Sequence, residues 1–490
     1  MMYEFKVSEM AEEFGVHRNT IRNWINAGTL EAKEGPGRKY LMKFDDYQEL
    51  CEKFGRKPHI RPNSHVDLET VKSLEEKNSE LPLIELGKTV KTLYDDPKWA
   101  DVCLTCGTCA SACPIAGVDS LDPRKIVRMA FLGMEEDLIA SDWPWKCTMC
   151  AKCENVCPAN IEIMLLMRKI RSRRQRELVP GPIHKGVITC LERGNNLGIP
   201  KEDFIHLLEG LGQELAEECC PGFVTPIDVH GARVLVQINS KEPFAEPDDL
   251  KWWWKIFYAA KESWTVSSEN WEGVNWGMFS GDDESMKTVV GRIVDNMRRL
   301  NCEVLLLPES GHSYYATRYG LNRWYPDALK EFKICTLFDL LLGYIQSGRI
   351  SLDSSRHTQR TVYHDPCNYG RKSLKTFGKE YFEEGRLITS ACCPDLVDME
   401  PNRETNYCCG AGGGAWAMPF SAERIYFGRM KARQITESGA DLVIASCHGC
   451  RDQMKKSLIQ EYNLDIEVKY LWELVADSLI LPGDGADEEK

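Results

Sequence analysis

Five cysteines in the last third of the 490-residue chain have the residue type and spacing of metal ligands. They occur in the segments VYHDPCNYGR, NYCCGAGGGAW and IASCHGC, and they are Cys367, Cys408, Cys409, Cys447 and Cys450. Thiolates that converge from several segments of an intracellular protein are metal or cluster ligands far more often than disulfide partners. A zinc ion or an ordinary cubane takes four ligands, and the side chains of neighbouring residues diverge. The adjacent pair therefore favours a larger or opened iron–sulfur cluster.

Glycines follow the adjacent cysteines. Gly410, Gly412 and Gly413 allow backbone amides to approach the cysteine sulfurs closely. The alternative is a structural zinc site that uses the four cysteines of the last two segments. In that case Cys367 would be a buried thiol.

The spacing of the five cysteines is C-x40-CC-x37-C-x2-C. This pattern resembles the CCG domain of heterodisulfide reductases. The resemblance implies that the five cysteines hold a noncubane 4Fe–4S cluster that cleaves disulfides.

Two further motifs, CLTCGTCASACP and CTMCAKCENVCP, have the spacing C-x2-C-x2-C-x3-C-P. This spacing wraps three thiolates around one cubane and sends the fourth to the neighbouring cubane. The first predicted cubane has the ligands Cys103, Cys106, Cys109 and Cys157. The second has the ligands Cys147, Cys150, Cys153 and Cys113. The 33 residues between the motifs have helical periodicity, as in the ferredoxin inserts of quinone-linked dehydrogenase subunits. Two clusters in series conduct single electrons.

Residues 1–57 predict a separate winged helix-turn-helix. Ser8 can cap a first helix that runs to Phe14, Gly15 supplies the turn, and a second helix covers 17–27. The module resembles the winged DNA-binding domains of MerR and excisionase proteins. That resemblance implies that three side chains face the major groove, namely Arg18, Asn19 and Arg22. Residues 1–60 hold ten basic and ten acidic side chains, so docking or dimerisation competes with DNA binding as the use of this module.

Composition narrows the class of protein. The net charge of −13 and the pI near 5.4 disfavour nucleic acid as the partner of the whole chain. No window holds 18 uninterrupted apolar residues, and the start lacks the form of a signal peptide. We therefore expect a cytoplasmic protein in which the 21 cysteines serve metals and not disulfides.

The remaining chain predicts a duplicated α/β domain over 181–482. Its strands are expected within RVLVQIN, EVLLLPE, TVYHDP and DLVIAS. Aligning the two halves places Glu309 opposite Cys447, His312 opposite Cys450, and Glu272 near the position of the paired cysteines. The first half has thus lost its ligands. A linker over 58–84, a helical ferredoxin domain over 85–180 and a disordered tail over 483–490 complete the predicted organisation.

The ferredoxin segment ends in a basic helix, IEIMLLMRKIRSRRQREL. Its cationic residues are Arg168, Lys169, Arg171, Arg173, Arg174 and Arg176. They predict either a solvated helical face or a docking surface for an acidic partner or anionic lipid headgroups.

From about residue 85 to 480, the chain resembles the DsrK branch of heterodisulfide reductase-like iron–sulfur proteins. The phrases that carry this resemblance include GNNLGIP, FAEPDDL, ENWEGVNWGMFSGDDE, PESGH and PNRETNYCCGAGGG. It implies a partner of the membrane cytochrome b type that passes quinol electrons through the two cubanes to the third cluster. That cluster would reduce a disulfide or trisulfide on a carrier protein or cofactor, with the chain peripheral on the inner face of the membrane. The helix-turn-helix departs from this pattern.

Cleavage of a disulfide consumes two electrons and two protons, so proton donors are expected near the cluster. His312, Glu309 and His364 are the candidates, and for each the alternative is a hydrogen-bonded structural group. Three functional hypotheses follow: a disulfide reductase subunit, the iron–sulfur subunit of a lactate, glycolate or glycerol-phosphate oxidising complex with a flavoprotein partner, and a redox-sensing DNA-binding regulator.

Overall fold

The computed structural model describes residues 2–35, 39–55, 103–308 and 310–481. The chain divides into two compact units, Met1–Glu85 and Leu86–Lys490. The predicted linker over 58–84, the predicted tail over 483–490 and Glu309 lie outside the described residues.

The first unit contains a winged helix-turn-helix. Strands β1 (Met2–Phe5), β2 (Ala32–Gly35) and β3 (Lys39–Lys43) pair antiparallel in the order β1-β3-β2. The helices are Val7–Phe14, Arg18–Asn26 and Phe44–Lys53. The predicted helices and wing are confirmed, whereas β1 was not predicted.

The tight turn of this unit follows from local chemistry. Gly15 adopts a φ of +66°, which a glycine tolerates without strain. The His17 side chain caps the second helix, because its Nδ1 accepts a hydrogen bond from the Asn19 amide at 3.3 Å. Met10, Phe14 and Ile21 are buried between the helices.

Short helices carry the ferredoxin motifs at the start of the second unit. They are Thr108–Ala112, Pro123–Phe131, Glu135–Ala140, Trp143–Lys146, Lys152–Asn155 and Ile163–Arg173, with a 3-10 turn at Val118–Ser120. Asp122 caps Pro123–Phe131 by accepting hydrogen bonds from the Arg124 amide at 2.8 Å and the Lys125 amide at 3.3 Å. The predicted helical insert between the motifs is confirmed.

Two parallel four-stranded sheets form the rest of the second unit. The first contains β4 (Val234–Val236), β5 (Trp264–Val266), β6 (Val304–Leu306) and β7 (Lys333–Cys335) in the order β5-β4-β6-β7. The second contains β8 (Thr361–His364), β9 (Leu396–Val397), β10 (Leu442–Ala445) and β11 (Glu467–Tyr470) in the order β11-β10-β8-β9. In both sheets the strand that comes first lies between the second and the third. This shared topology supports a duplication, and the predicted α and α/β fold class is confirmed.

Helices alternate with these strands. Those of the first half are Gly181–Arg193, Lys201–Glu218, Lys241–Ala245, Asp248–Ala259, Trp276–Ser280, Asp283–Leu300, Gly311–Trp324, Ala328–Glu331 and Leu337–Gln346. Those of the second half are Arg371–Phe377, Glu383–Cys392, Ser421–Phe427, Arg429–Ser438, His448–Gln453, Ile459–Tyr462 and Leu471–Ser478, with a π-helical turn at Met454–Leu458. Further 3-10 turns are Arg176–Leu178, Ser354–Arg356, Arg403–Thr405 and Ala415–Ala417.

One apolar core joins the two halves. The predicted packed helix is Asp248–Ala259, in which Trp253, Trp254 and Phe257 are buried. The Phe257 ring lies edge-on to Trp472 of the second half, with 6.2 Å between ring centroids. Because this core spans both halves, their facing strand ends are held in a fixed relation. Within the described ranges, no helix is long and apolar enough to cross a membrane.

Candidate metal centre and adjoining cavity

The topology of the second sheet brings the five predicted ligands together. Cys367 follows β8, and Cys447 and Cys450 follow β10, which is the neighbour of β8. The carboxyl ends of adjacent parallel strands meet at one edge of a sheet. Cys408 and Cys409 reach this edge from the glycine-rich loop. All five cysteines are at most 8% exposed.

The sulfurs are in mutual contact. The Cys409 and Cys450 Sγ atoms lie 3.2 Å apart, and Cys408 hydrogen-bonds Cys367 as well as Cys409. Cys447 hydrogen-bonds Cys450. His364 joins the group, since its ring and the sulfurs of Cys409 and Cys450 offer ligand atoms within 4.8 Å of one another.

Hydrogen bonds among these cysteines divide them into two kinds. The bond with Cys408 holds the pKa of Cys409 well below its usual range, and the bond with Cys450 does the same for the pKa of Cys447. The bonds with Cys150 and Cys409 instead hold the pKa values of Cys408 and Cys450 well above their usual range. Metal binding requires deprotonated cysteines, so Cys408 and Cys450 would release their protons when a metal centre binds.

The glycines after Cys409 make two kinds of close backbone contact, one with the cysteine sulfurs and one with the second ferredoxin motif. The Gly410 amide donates to Cys408 Sγ at 3.4 Å, as predicted for a close backbone approach, and the Ala411 amide donates to Cys409 Sγ at 3.5 Å. Gly412 and Gly413 instead pack on the second ferredoxin motif. A Cβ on Gly412 would lie 2.3 Å from the Thr148 carbonyl oxygen, and one on Gly413 would lie 2.8 Å from the Cys147 carbonyl oxygen.

The ferredoxin cysteines surround two separate cavities. One is lined by Cys103, Cys106, Cys109 and Cys157. The other is lined by Cys113, Cys147, Cys150 and Cys153. Each set contains the fourth cysteine of the other motif, which is the arrangement that the crossover spacing predicts.

The backbone repeats between the two motifs. Thr105 and Met149 have φ values of +48° and +52°, and at the next matching position Gly107 and Ala151 have +81° and +57°. Positive φ turns the chain tightly, so both loops wrap their cavity in the same way.

The second ferredoxin motif directly contacts the five-cysteine site. Cys150 hydrogen-bonds Cys408, which lowers the pKa of the Cys150 thiol to about 5. The Thr148 Oγ1 atom lies 3.9 Å from Cys408 Sγ. The two groups of sulfurs are therefore direct neighbours.

Two arginines of the basic helix correct the expectation of a solvated face. Arg171 is 1% exposed and donates to the carbonyl oxygens of Pro144, Cys147, Phe279 and Gly413 at 2.7 to 3.0 Å. Arg168 is buried and pairs with Asp283 at 2.6 Å. Residue spacing does not predict this clamp, because its acceptors are backbone carbonyls distant in the chain.

The first half holds a hydrogen-bonded network where the second half holds cysteines. In the first sheet Val304 pairs with Val234, and in the second sheet Leu442 pairs with Thr361, so Val234 and Thr361 occupy matching positions. Ser240 follows Val234 by six residues, and Cys367 follows Thr361 by six residues. Counted along the chain, Ser240 thus corresponds to Cys367.

In that network the buried Glu272 carboxylate accepts three hydrogen bonds. The donors are the Ser240 hydroxyl at 3.1 Å, the Asn196 amide at 2.5 Å and the Cys190 thiol at 3.3 Å. These contacts account for the carboxylate without a metal ion.

A cavity of about 390 Å³ lies between the two halves at the five-cysteine edge. Its polar lining includes Asn196, Asn239, Ser240, Lys241, His312 and His448, and its apolar lining includes Phe244, Val274, Trp276, Phe279, Ala411 and Trp416. A volume of this size suits a small organic molecule.

His312 lies in the wall of this cavity, at the start of the helix Gly311–Trp324. Its Nε2 accepts a hydrogen bond from the Gly413 amide at 3.3 Å, and the side chain hydrogen-bonds Cys447. In a neutral imidazole that accepts at Nε2, the proton resides on Nδ1. The structure thus brings His312 to the cysteines, whereas Glu309 lies outside the described residues.

The donor sets fit iron–sulfur clusters. The three groups consist of thiols, each ferredoxin set lines one cavity, and the sulfurs of the five-cysteine site contact one another. In the first unit, Arg18, Asn19 and Arg22 are exposed on one helix, and DNA contact by them stays a prediction.

Comparison with known proteins agrees with this geometry. A 4Fe-4S dicluster domain matches residues 99–161, and a CCG cysteine-rich domain matches residues 361–455. The chain is an iron–sulfur protein. A helix-turn-helix domain matches residues 4–50, so all three recognised modules are confirmed.

Three relatives align with more than three quarters of this chain. A probable membrane-anchored ferredoxin of Chromohalobacter salexigens is 23% identical, over 77% of this chain and 60% of its own length. The Hdr-like menaquinol oxidoreductase iron-sulfur subunit 2 of Archaeoglobus fulgidus is 23% identical, over 79% of this chain and 81% of its own. A fumarate reductase (CoM/CoB) subunit of Methanothermobacter marburgensis is 24% identical, over 78% and 73%. The chain is thus similar to iron–sulfur subunits of Hdr-like and related oxidoreductases.

Proposed function

We propose that this chain is the iron–sulfur electron-transfer and catalytic subunit of a heterodisulfide reductase-like complex that reduces a disulfide or trisulfide. The observation that carries the proposal is the cavity of about 390 Å³ that is lined by His312 and by neighbours of the five cysteines, namely Ala411, His448 and Gly449. The proposed cofactors are two cubane 4Fe–4S clusters and one noncubane 4Fe–4S cluster.

Each group of cysteines has an assigned role. The two ferredoxin sets would hold the cubanes, and Cys367, Cys408, Cys409, Cys447 and Cys450 would hold the noncubane cluster. When bound, these clusters supply single electrons and a sulfur-binding iron at the cavity. The reaction consumes one disulfide, two electrons and two protons, and releases two thiols.

The side chains of the cavity would bind and orient the substrate. Trp276, Phe279 and Trp416 offer aromatic faces that exclude water and accept apolar parts of the molecule. Asn196 and Asn239 offer hydrogen bonds that fix its orientation. A mostly apolar wall with a few polar groups suits an organic disulfide better than a strongly charged anion.

His312 would deliver a proton to the sulfur that leaves the disulfide. Its Nε2 is held by the Gly413 amide, so the ring is oriented and its Nδ1 proton is directed at Cys447. Delivery of this proton to the substrate sulfur would therefore require the Nδ1–H group to leave Cys447. The Cys447 contact places this ring at the boundary between cysteine edge and cavity.

The proposed partners follow from the relatives and the cavity. A redox subunit, such as a membrane cytochrome of the b type that oxidises quinol, would supply electrons. The small protein or cofactor that carries the disulfide would enter the cavity. A flavoprotein partner would instead favour oxidation of lactate, glycolate or glycerol phosphate.

The test uses the full-length protein, purified without oxygen, with reduced methyl viologen as donor and small organic disulfides and trisulfides as substrates. Thiol release is expected from the native protein and from Cys302→Ser, a matched change in the apolar core of the first half. Release is expected to stop in Cys409→Ser. Equal rates in the two variants would overturn the proposed function.

A further inference from the structure

Besides Arg171 and Arg424, four cationic side chains are buried around the second ferredoxin motif and the five-cysteine site. They are Lys152 (7% exposed), Arg371 (3%), Lys372 (3%) and Lys431 (0%). A charge removed from water costs several kcal/mol unless an opposite charge compensates it. Four such charges in one region therefore require an explanation.

Their hydrogen-bond acceptors are neutral. Lys152 donates to the Thr405 carbonyl at 2.6 Å, and Lys372 donates to Asn368 Oδ1 at 2.6 Å. Lys431 donates to Asn406 Oδ1 at 2.6 Å.

Arg371 donates to the carbonyl oxygens of Glu404 and Asn406 at 2.7 Å. Its buried Nε has no hydrogen-bond partner among the described residues. The four side chains are thus solvated by protein dipoles, which do not cancel a positive charge. Burial lowers the pKa of Lys152 to about 8 and that of Lys431 to about 7.

None of the four forms an ion pair with a carboxylate in the part of the chain that the structure describes. The nearby carboxylates are already paired, since Glu154 lies 3.1 Å from Lys375 and Asp365 lies 2.6 Å from Arg386. Some other buried cations of this unit do have such partners, as the Arg451 pair with Asp249 at 2.8 Å shows, whereas Arg171 donates to backbone carbonyls.

The negative groups that remain are the cysteine sulfurs. Lys152 interacts electrostatically with Cys150 and Cys408, and Arg371 interacts with Cys150. Lys372 interacts with the sulfurs of Cys147, Cys150 and Cys367 and also with the paired Glu154 carboxylate. Lys431 interacts with the paired Asp365 carboxylate and with the sulfurs of Cys409 and Cys450.

The first ferredoxin set has a different environment. The cation in its cavity wall is Arg124, whose Nη2 lies 3.5 Å from the Asp122 carboxylate. Burial raises the pKa of Cys109, and that carboxylate raises it further. Cys106 is exposed, as is Leu104 beside it. A paired carboxylate lies beside both ferredoxin sets, Asp122 at the first and Glu154 at the second. The difference is that the first set borders solvent, whereas buried cations border the second set and the five-cysteine site.

We propose that Lys152, Arg371, Lys372 and Lys431 form a cationic shell that raises the reduction potentials at the second ferredoxin set and the five-cysteine site above that of the first set. The proposal rests on the proposed function for its cluster assignment. Reduction adds one negative charge to a centre, and a fixed positive charge in a medium of low dielectric stabilises that state.

The cationic shell sets the direction of electron transfer through the chain. An electron accepted from the reduced partner at the exposed first set moves to the second set and then to the cavity, and two such transfers serve one disulfide. The first set is the lowest in potential, so the loop that contains Leu104 and Cys106 is the entry point for electrons.

The experiment is a redox titration of the full-length, cluster-loaded protein, followed by electron paramagnetic resonance. In the native protein, the centre that Cys157→Ser perturbs is expected to have the lowest midpoint potential. At the native midpoint, Lys431→Met is expected to reduce the ratio of reduced to oxidised five-cysteine centre about tenfold, which is about 59 mV for one electron. Lys372→Met is expected to act similarly on the second set. Methionine keeps the length and apolar contacts of lysine while removing the charge.

Lys455→Met is the matched control, because it removes an exposed charge that solvent screens. Lys431→Arg is expected to restore the native ratio. If the first set has the highest potential, or if Lys431→Met and Lys372→Met shift their ratios no more than the control, the shell proposal is wrong. If the shifts occur but no disulfide is reduced, the proposed function fails and the shell proposal stands.

Discussion

The two α/β halves have the same strand order but opposite chemistry at their strand ends. Where the second half presents Cys367 and the paired cysteines, the first presents Ser240 and Glu272. In one half, buried sulfurs are gathered beside buried cations. In the other, a carboxylate is satisfied by three donors. The two halves therefore share a strand order with different residues at the strand ends, and the proposed redox chemistry would be confined to one side of the cavity.

The largest expected effect tests whether the second half alone holds the third cluster. Native protein purified without oxygen should contain about twelve irons per chain, and Cys409→Ser should contain about eight. Iron and zinc are measured by elemental analysis, with Cys302→Ser as the control at about twelve. About eight irons with one zinc in the native protein would show that the five-cysteine site binds a structural zinc ion and not a third cluster.

The next prediction concerns the residue that the first half contributes to the chemistry. His312→Ala should slow disulfide reduction by about 10² to 10⁴, because the oriented proton donor is lost while the cysteines remain. Steady-state rates and iron content are measured together, and His206→Ala, an exposed change in the same half, is the control. An unchanged rate would make His312 a structural group.

A third prediction compares one loop glycine from each half. Gly412→Ala should lower the free energy of unfolding by about 3 kcal/mol, because the new Cβ meets backbone at 2.3 Å. Gly273→Ala in the first half should cost about 1 kcal/mol, since its nearest atom is the Leu307 side chain at 3.0 Å. Denaturant unfolding measures both, and equal costs would contradict the close approach at Gly412.

The smallest expected effect concerns the hydrogen-bonded network of Glu272, which occupies the first half where the second half has its cysteines. Glu272→Gln should lower the free energy of unfolding by about 1 to 2 kcal/mol, because one acceptor oxygen becomes a donor facing other donors. Iron content should stay unchanged. Glu209→Gln, an exposed change, is the control for thermal unfolding. A loss of iron in Glu272→Gln would show that the first half also contributes to a metal centre.

The sequence predicted the elements that carry long apolar runs or fixed spacings. The strands β4, β6, β8 and β10 fall in the four predicted segments, and both ferredoxin motifs form separate cavities. Spacing is informative here because a cluster imposes its geometry on a local stretch of chain. Among the remaining strands, β9 has two residues, which is too short for a periodic signal, and β7 and β11 contain Lys333 and Lys469, which interrupt an apolar run.

The site was only partly predictable for a physical reason. Cys150 meets Cys408, and Arg171 meets Gly413, across more than 200 residues of chain. Charged residues such as Lys372 and Lys431 are normally exposed, so their burial beside sulfurs follows from tertiary packing and not from local pattern. One signal of burial was available in the sequence. Arg171 lies on the apolar side of an amphipathic helix, next to Ile170, where a charged residue is unusual.

The Arg171 guanidinium has a consequence for how this unit opens and closes. Its N–H groups are all hydrogen-bonded only when the second ferredoxin motif, the first half and the glycine-rich loop are packed together, because each segment supplies a carbonyl acceptor. If one segment moves away, the buried Arg171 guanidinium loses a hydrogen-bond acceptor that water does not replace. Partial opening therefore costs free energy. Amide hydrogen exchange in these three segments should consequently share one opening event, which would protect the cluster ligands from oxygen for as long as the whole assembly stays closed.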